Sequence, residues 1–151
     1  MIEIESVRKL GELVGRDVAV SEWVEVSQER IDRFAEATED RQWIHTDPER
    51  AARDSPFKGT IAHGFLTLSL LSEMGRTAMK MGGVRMGINY GLDRVRFIAP
   101  IPAGSRVRGS FHLAAFREAD DWALATWSVT VEREGGANMC CVANWLVRYY
   151  F

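Results

Sequence analysis

The sequence has little of what marks membrane, exported or disulfide-stabilised proteins. Its 151 residues include only two cysteines and four prolines, and no apolar run approaches the roughly 18 residues that span a membrane. The first residues are charged and lack the apolar core of a signal peptide. We therefore expect no membrane span and a cytoplasmic location.

The two cysteines agree with that expectation. Cys140 and Cys141 are adjacent in a strand-like run, so their side chains are expected on opposite faces, where they cannot bridge each other. Two free thiols are typical of a reducing compartment. We interpret both as small apolar residues of the core.

The charge balance argues against another class of protein. Nineteen basic and 21 acidic residues give a formal net charge of −2, so the chain has no overall field that would attract nucleic acid. An anionic ligand would need a local basic patch. The chain shows no repeat, low-complexity tract or linker, and its length suits one core. We therefore predict a single domain over residues 1–151.

What the sequence does contain is a set of helices followed by strands. Ser27 and Asp47 are good N-cap residues, and they predict helices over 28–38 and 49–53. Apolar residues are dense from Ala62 to Lys80, which predicts one long helix wrapped by other structure and ended by Gly82.

The strands are predicted from alternating apolar and polar residues, which is typical of an antiparallel sheet covered on one side. The economical way to bury the long helix is to curl that sheet around it, in an α+β fold. The predicted strands cover residues 18–26, 86–90, 92–97, 105–116, 122–132 and 139–150.

Asp40 and His45 form the first candidate site. They lie five residues apart in a polar stretch between two helices, where a carboxylate and an imidazole can share one water molecule. The alternative is that His45 is a hydrogen-bonded structural histidine and Asp40 caps a helix. From these residues alone both readings stay open.

The second candidate is the segment that begins the long helix, Gly59 to Gly64. The first N–H groups of a helix lack internal partners, and Gly64 has no side chain to block an approach to its N–H. These glycines could equally serve tight packing. We interpret His63 as a structural histidine. No histidine or cysteine spacing indicates a metal site, and no phosphate loop or nucleophile elbow is present.

Three segments resemble the MaoC-like hydratases. They are residues 26–52, which contain Asp40, His45, Asp47 and Ala51 in the family's spacing; residues 60–65, Thr-Ile-Ala-His-Gly-Phe; and residues 89–97 followed by Pro100 and Gly104. The likeness extends from about Asp17 to Tyr150, and three motifs in the right order are specific.

The resemblance implies a hot-dog fold, a homodimer joined edge to edge, and (R)-specific hydration of 2-enoyl thioesters carried by coenzyme A or acyl carrier protein, with no cofactor. Asp40 and His45 match the family's catalytic pair. Gly64 matches the glycine whose N–H holds the thioester carbonyl, and Thr67 matches a small hydroxyl residue that faces the site.

One departure concerns the residues between the catalytic pair. Many members have Asn-Pro where this chain has Gln42-Trp43, a variant similar to the nodulation-protein-N-like branch. Trp43 is expected to reshape the acyl pocket, so the resemblance implies no chain-length preference.

Two other functions remain as alternatives: a thioesterase of the same fold, and a non-catalytic subunit that binds acyl thioesters. Retention of both Asp40 and His45 argues against the second. Four basic residues are candidates for the carrier's phosphates, although each could be an ordinary surface charge. These candidates are Lys58, Arg85, Arg94 and Arg96.

Overall fold

The computed structural model describes residues 1–151 as six helices and eight strands. The elements are β1 (Ile2–Ile4), α1 (Val7–Gly11), β2 (Asp17–Val20), β3 (Val24–Val26), α2 (Gln28–Thr38), α3 (Trp43–Thr46), α4 (Pro48–Asp54), α5 (Gly64–Ser69), α6 (Leu71–Ala78), β4 (Met79–Met81), β5 (Met86–Phe97), β6 (Ser105–Glu118), β7 (Trp122–Arg133) and β8 (Met139–Tyr150).

The main sheet is antiparallel and has six strands. Its order is β2-β6-β7-β8-β5, and β3 also pairs with β6. The predicted alternation is confirmed, because every second residue of β7 from Ala123 to Val131 is buried. One face of the sheet therefore forms the wall of the core.

The region predicted as one strand over 18–26 is two strands. Between β2 and β3, the Ser21 hydroxyl accepts the Gly109 N–H at 2.9 Å, taking the donor that a regular ladder would give to a backbone carbonyl. The opposite correction applies to β5. It was predicted as two strands, but it is continuous, with register shifts after Asn89 and Asp93.

The long helix is confirmed over most of its length. α5 and α6 are separated only by Leu70, across which helical hydrogen bonding continues, since its N–H donates to the Leu66 carbonyl at 3.0 Å and its carbonyl accepts from Met74 N–H at 2.9 Å. The predicted end was wrong. After Ala78 the chain turns into β4, which pairs in parallel with β1.

The core lies between the helix and the sheet. Met74 and Phe111 are fully buried there, and Gly109 lets the helix approach, because a Cβ at Gly109 would lie 3.1 Å from the Met74 sulfur. Phe111 and Trp127 meet edge to face with ring centroids 6.1 Å apart. One cluster of 22 buried residues draws on most elements, and it supports our proposal that residues 1–151 are one domain.

One expectation about the surface needs correction. The helix is not fully wrapped, since Phe65 is 70% exposed. Cys140 and Cys141 are free and both belong to the core cluster, as predicted, and they lie at a bulge opposite Glu132. None of the six helices combines the length and the apolar character that crossing a membrane requires.

Candidate active site

Asp40 is placed by the end of α2. The helix begins as predicted, with the Ser27 hydroxyl accepting the Arg30 N–H at 3.2 Å. It ends at Thr38, and Glu39 adopts a left-handed conformation with φ of 60°, which turns the chain out of the helix. Asp40 follows with its side chain exposed, while its backbone carbonyl accepts a hydrogen bond at 2.9 Å from His63 Nε2.

His45 lies in the single turn of α3 and is only 8% exposed. Its Nδ1 lies 2.7 Å from the Ile61 carbonyl oxygen. Because a carbonyl only accepts hydrogen bonds, this contact assigns the ring proton to Nδ1 and leaves the lone pair of Nε2 available.

The surroundings of His45 favour this neutral form. Burial lowers the pKa of His45 below its ordinary value, and the nearby His63 lowers it further, whereas the hydrogen bond to Ile61 and the charge of Asp40 raise it. Burial is the largest of these effects. At neutral pH the imidazole is therefore a base rather than a cation.

His63 is part of the same cluster and connects the two candidates. It is 2% exposed, its ring stacks on that of His45 with centroids 3.9 Å apart, and its Nε2 donates to the Asp40 carbonyl. One ring nitrogen of each histidine and a carboxylate oxygen of Asp40 lie within 4.8 Å of one another. The structure thus brings together the acid and the imidazole that were predicted to converge.

The same three groups also have the composition and spacing of a small cation site, which their separation in the sequence did not predict. His45 Nδ1 and His63 Nε2 are both engaged with backbone carbonyls, so each ring offers one remaining nitrogen. His63 Nδ1 is buried and has no hydrogen-bond partner.

A pocket of about 260 Å³ connects His45 to the start of the long helix. His45, Gly64 and Thr67 all line it, whereas Asp40 does not. Thr67 is 3% exposed, so it is a buried part of the pocket wall. The other lining residues are mostly apolar: Phe57, Ile61, Ala62, Phe97, Ile98, Ala99, Pro100, Ile101 and Cys140.

Gly64 is the first residue of α5, so its N–H has no partner inside the helix. It also permits close packing, because a Cβ built on Gly64 would lie 2.8 Å from the Phe97 ring. Both sequence interpretations of this glycine therefore have a structural basis.

Trp43 does not line the pocket within this chain. Its ring lies under the Arg50 guanidinium, 4.4 Å from ring centroid to Cζ. The expected effect of Trp43 on the acyl pocket therefore stays a prediction, and within one chain it would have to be indirect.

The four basic candidates do not form one patch. All are exposed, and Arg94 and Arg96 lie close in β5 to Phe97, a residue of the pocket, as Lys58 lies next to Phe57. Arg85 precedes the other end of the twelve-residue strand, and its guanidinium contacts the Phe151 carbonyl. At about 3.3 Å per residue, the chain from Arg85 to Arg94 in β5 spans up to roughly 30 Å.

Sequence reasoning missed the groups that hold His45. They include the Ile61 carbonyl, the Gln28 amide, which donates to the His45 carbonyl at 2.7 Å, and the Thr60 hydroxyl, which donates to Gln28. A backbone carbonyl leaves no trace in residue identity, and Gln28 appeared only as an ordinary first residue of a helix.

Comparison with known proteins gives the same family as the resemblance seen in the sequence. Residues 9–140 match the MaoC like domain. 3-Hydroxyacyl-thioester dehydratase Z of Mycobacterium tuberculosis is 49% identical over 150 residues, covering 99% of both chains. Nodulation protein N of Rhizobium leguminosarum bv. viciae is 52% identical over 141 residues, covering 91% of this chain and 87% of that protein.

A solved structure agrees as well. The (R)-hydratase from A. caviae involved in PHA biosynthesis has a TM-score of 0.68 and 26% identity, covering 89% of this chain and 94% of that one. The predicted hot-dog fold and the predicted branch are both confirmed. The chain belongs to the MaoC-like domain family, in the branch of nodulation protein N.

Proposed function

We propose that the protein catalyses (R)-specific hydration of trans-2-enoyl thioesters to (R)-3-hydroxyacyl thioesters, and the reverse dehydration. The observation that carries this proposal is the neutral His45: its Nδ1 is bonded to the Ile61 carbonyl, its Nε2 is free, and one nitrogen of its ring lies within 4.8 Å of an Asp40 carboxylate oxygen. It is supported by the dehydratase and the (R)-hydratase to which the chain is similar.

In the proposed reaction Asp40 and His45 hold one water molecule. His45 Nε2 removes a proton as the water oxygen bonds to C3, and the π electrons move toward C2 and the thioester carbonyl. A proton from the pair is then delivered to C2, so all atoms of the water remain in the product. The addition is redox-neutral, and we propose that it needs no cofactor.

We further propose that the thioester carbonyl binds to the Gly64 N–H, where negative charge develops during addition. The carbonyl would then lie in the pocket that His45 and Thr67 also line. We assign Thr67 to the substrate-binding wall of this pocket, since its side chain is buried there.

Gly64 gives a test that separates binding from packing. Gly64→Ala places a methyl group beside the N–H that would hinder approach of the carbonyl, so it should lower kcat/KM by up to roughly 100-fold, the size of losing an oxyanion donor. Because that methyl would also meet the Phe97 ring at 2.8 Å, the double variant Gly64→Ala/Phe97→Ala removes the clash. It should stay impaired; recovery to the level of Phe97→Ala would mean that Gly64 serves packing alone.

The thioester carrier is the proposed partner, either coenzyme A or acyl carrier protein. Lys58, Arg94 and Arg96 are the basic residues near the pocket, and we propose them for the carrier's phosphates. Their replacement by alanine should raise KM with little change in kcat; an unchanged KM would remove this assignment. Arg85 is too distant to join them.

We also propose a homodimer joined through β5. This strand is a free edge of the sheet, and five of its apolar side chains are between 41% and 54% exposed: Met86, Ile88, Tyr90, Leu92 and Phe97. Sedimentation velocity showing only monomers would contradict it.

The free thiols fit a cytoplasmic location, which we likewise propose.

The activity is tested with purified protein and crotonyl-CoA. We expect loss of the enoyl-thioester absorbance without release of free thiol. Thiol release would indicate the thioesterase instead, and neither signal across enoyl-CoAs from C4 to C16 would favour a non-catalytic subunit. The same panel of substrates measures the acyl-length preference.

A further inference from the structure

The geometry points to Gln28 as a positioning residue for the His45 imidazole, acting through Thr60; this inference rests on the proposed hydration activity. Neither Gln28 nor Thr60 lines the pocket. Their contribution would therefore come from holding His45 rather than from touching substrate.

Both N–H donors and one acceptor position of the Gln28 side-chain amide are occupied. Its Nε2 donates to the His45 backbone carbonyl at 2.7 Å and to Asp32 Oδ1 at 2.8 Å. Its Oε1 accepts the hydroxyl of Thr60, a residue that is only 6% exposed. Because a carbonyl can only accept, these contacts fix the amide in one orientation.

Thr60 belongs to the segment that orients the ring of His45. The next residue, Ile61, accepts from His45 Nδ1 at 2.7 Å and donates its own N–H to the Ile44 carbonyl at 3.1 Å. This segment is anchored on its other side, where the Thr60 carbonyl accepts the Ala103 N–H at 3.0 Å.

Gln28 thus ties the backbone of His45 to the same segment that holds its ring. The tie matters because α3 has four residues, too few for a helix to be stable by itself. Without the amide, the backbone of His45 would be free to shift relative to this segment, which would weaken the Nδ1–H bond to the Ile61 carbonyl and displace the imidazole. Displacements of about 1 Å can cost 100-fold in rate.

The test uses two substitutions of Thr60, one that removes its hydroxyl group and one that keeps it. Thr60→Val keeps the shape of threonine and removes its hydroxyl, whereas Thr60→Ser keeps the hydroxyl. We expect Thr60→Val and Gln28→Ala to lower kcat for crotonyl-CoA hydration by about 10- to 100-fold, with KM changed less than about threefold. Thr60→Ser should remain within about threefold of the unmodified protein.

The control for the helix is Glu29→Gln, which alters an exposed residue on the same turn of α2 and should leave kcat unchanged. Since the two groups form one bridge, Gln28→Ala/Thr60→Val should be no slower than the slower single variant. In the His45→Ala background, Gln28→Ala should have no further effect. Independent, multiplying losses in either combination would overturn the inference.

A measurement without substrate separates this inference from the proposed function. The Nδ1–H resonance of His45 in proton–nitrogen spectra should be protected from exchange in the unmodified protein and in Thr60→Ser, and should broaden or disappear in Thr60→Val. An unchanged resonance together with an unchanged kcat in Thr60→Val would exclude the positioning role. Failure of the proposed function would appear differently, as absence of hydration by the unmodified protein.

Discussion

Replacement of His45 by alanine is expected to lower the rate of crotonyl-CoA hydration by roughly two to four orders of magnitude, since it removes the base and a positioning contact for water. His45→Asn tests the role of the base more selectively. Its amide N–H can still bond to the Ile61 carbonyl that now accepts from Nδ1 at 2.7 Å, but it supplies no nitrogen lone pair in place of Nε2.

The matched control is His112→Ala. His112 is the histidine outside the cluster; it pairs with Asp17 on the exposed side of β6, and its loss should leave hydration unchanged. A second check is the pH profile. Because the pKa of His45 is lowered below 6.5, kcat/KM should fall only as pH drops below that value, when the free base becomes protonated. Full activity of folded His45→Asn would refute the assignment.

Asp40→Asn should cause a loss of similar size, roughly two to four orders of magnitude in kcat/KM. The substituted amide can still hold a water molecule, but it is neutral and cannot take part in proton transfer as a carboxylate does. The backbone carbonyl of residue 40 can still accept the hydrogen bond from His63 Nε2, so the local backbone conformation should be retained. The assay is again the enoyl-thioester absorbance.

Asp40→Asn also has a signature in the pH profile. The charge of Asp40 raises the pKa of His45, so its removal should move the acidic limb of the remaining activity to lower pH. Glu36→Gln removes an equal charge from an exposed residue of α2 and should change neither rate nor limb. If Glu36→Gln moved the limb as far as Asp40→Asn does, the effect would be general electrostatics and not the pair.

The parts of the fold that could be predicted are those with a local or periodic cause. The caps at Ser27 and Asp47 depend on one side chain and its nearby N–H, and both form as predicted. The alternation in β7 follows from burial of one face of the sheet. The helix end near Ala78 could not be predicted, because it depends on pairing of β4 with the distant β1.

The residues of the site likewise include some that the sequence predicts and some that it does not. Asp40 and His45 were recognisable because a polar stretch between helices carries an unusual pair of residue types. His63 was misjudged in part: it is a buried, hydrogen-bonded histidine as predicted, yet it also touches both members of the pair. Gln28 lies 17 residues from His45 in the sequence and contacts its backbone, a relation that no residue pattern encodes.

The irregular shape of β5 has a consequence for how the protein behaves in concentrated solution. A flat, apolar sheet edge can recruit any extended chain and start fibrous aggregation. β5 shifts register twice, and Arg94 takes a left-handed φ of 51° within it, so its free edge is kinked and carries charge. A regular extended strand pairs poorly with such an edge, whereas a strand with complementary irregularities can still pair with it. We therefore expect β5 to resist unspecific aggregation despite its apolar side chains.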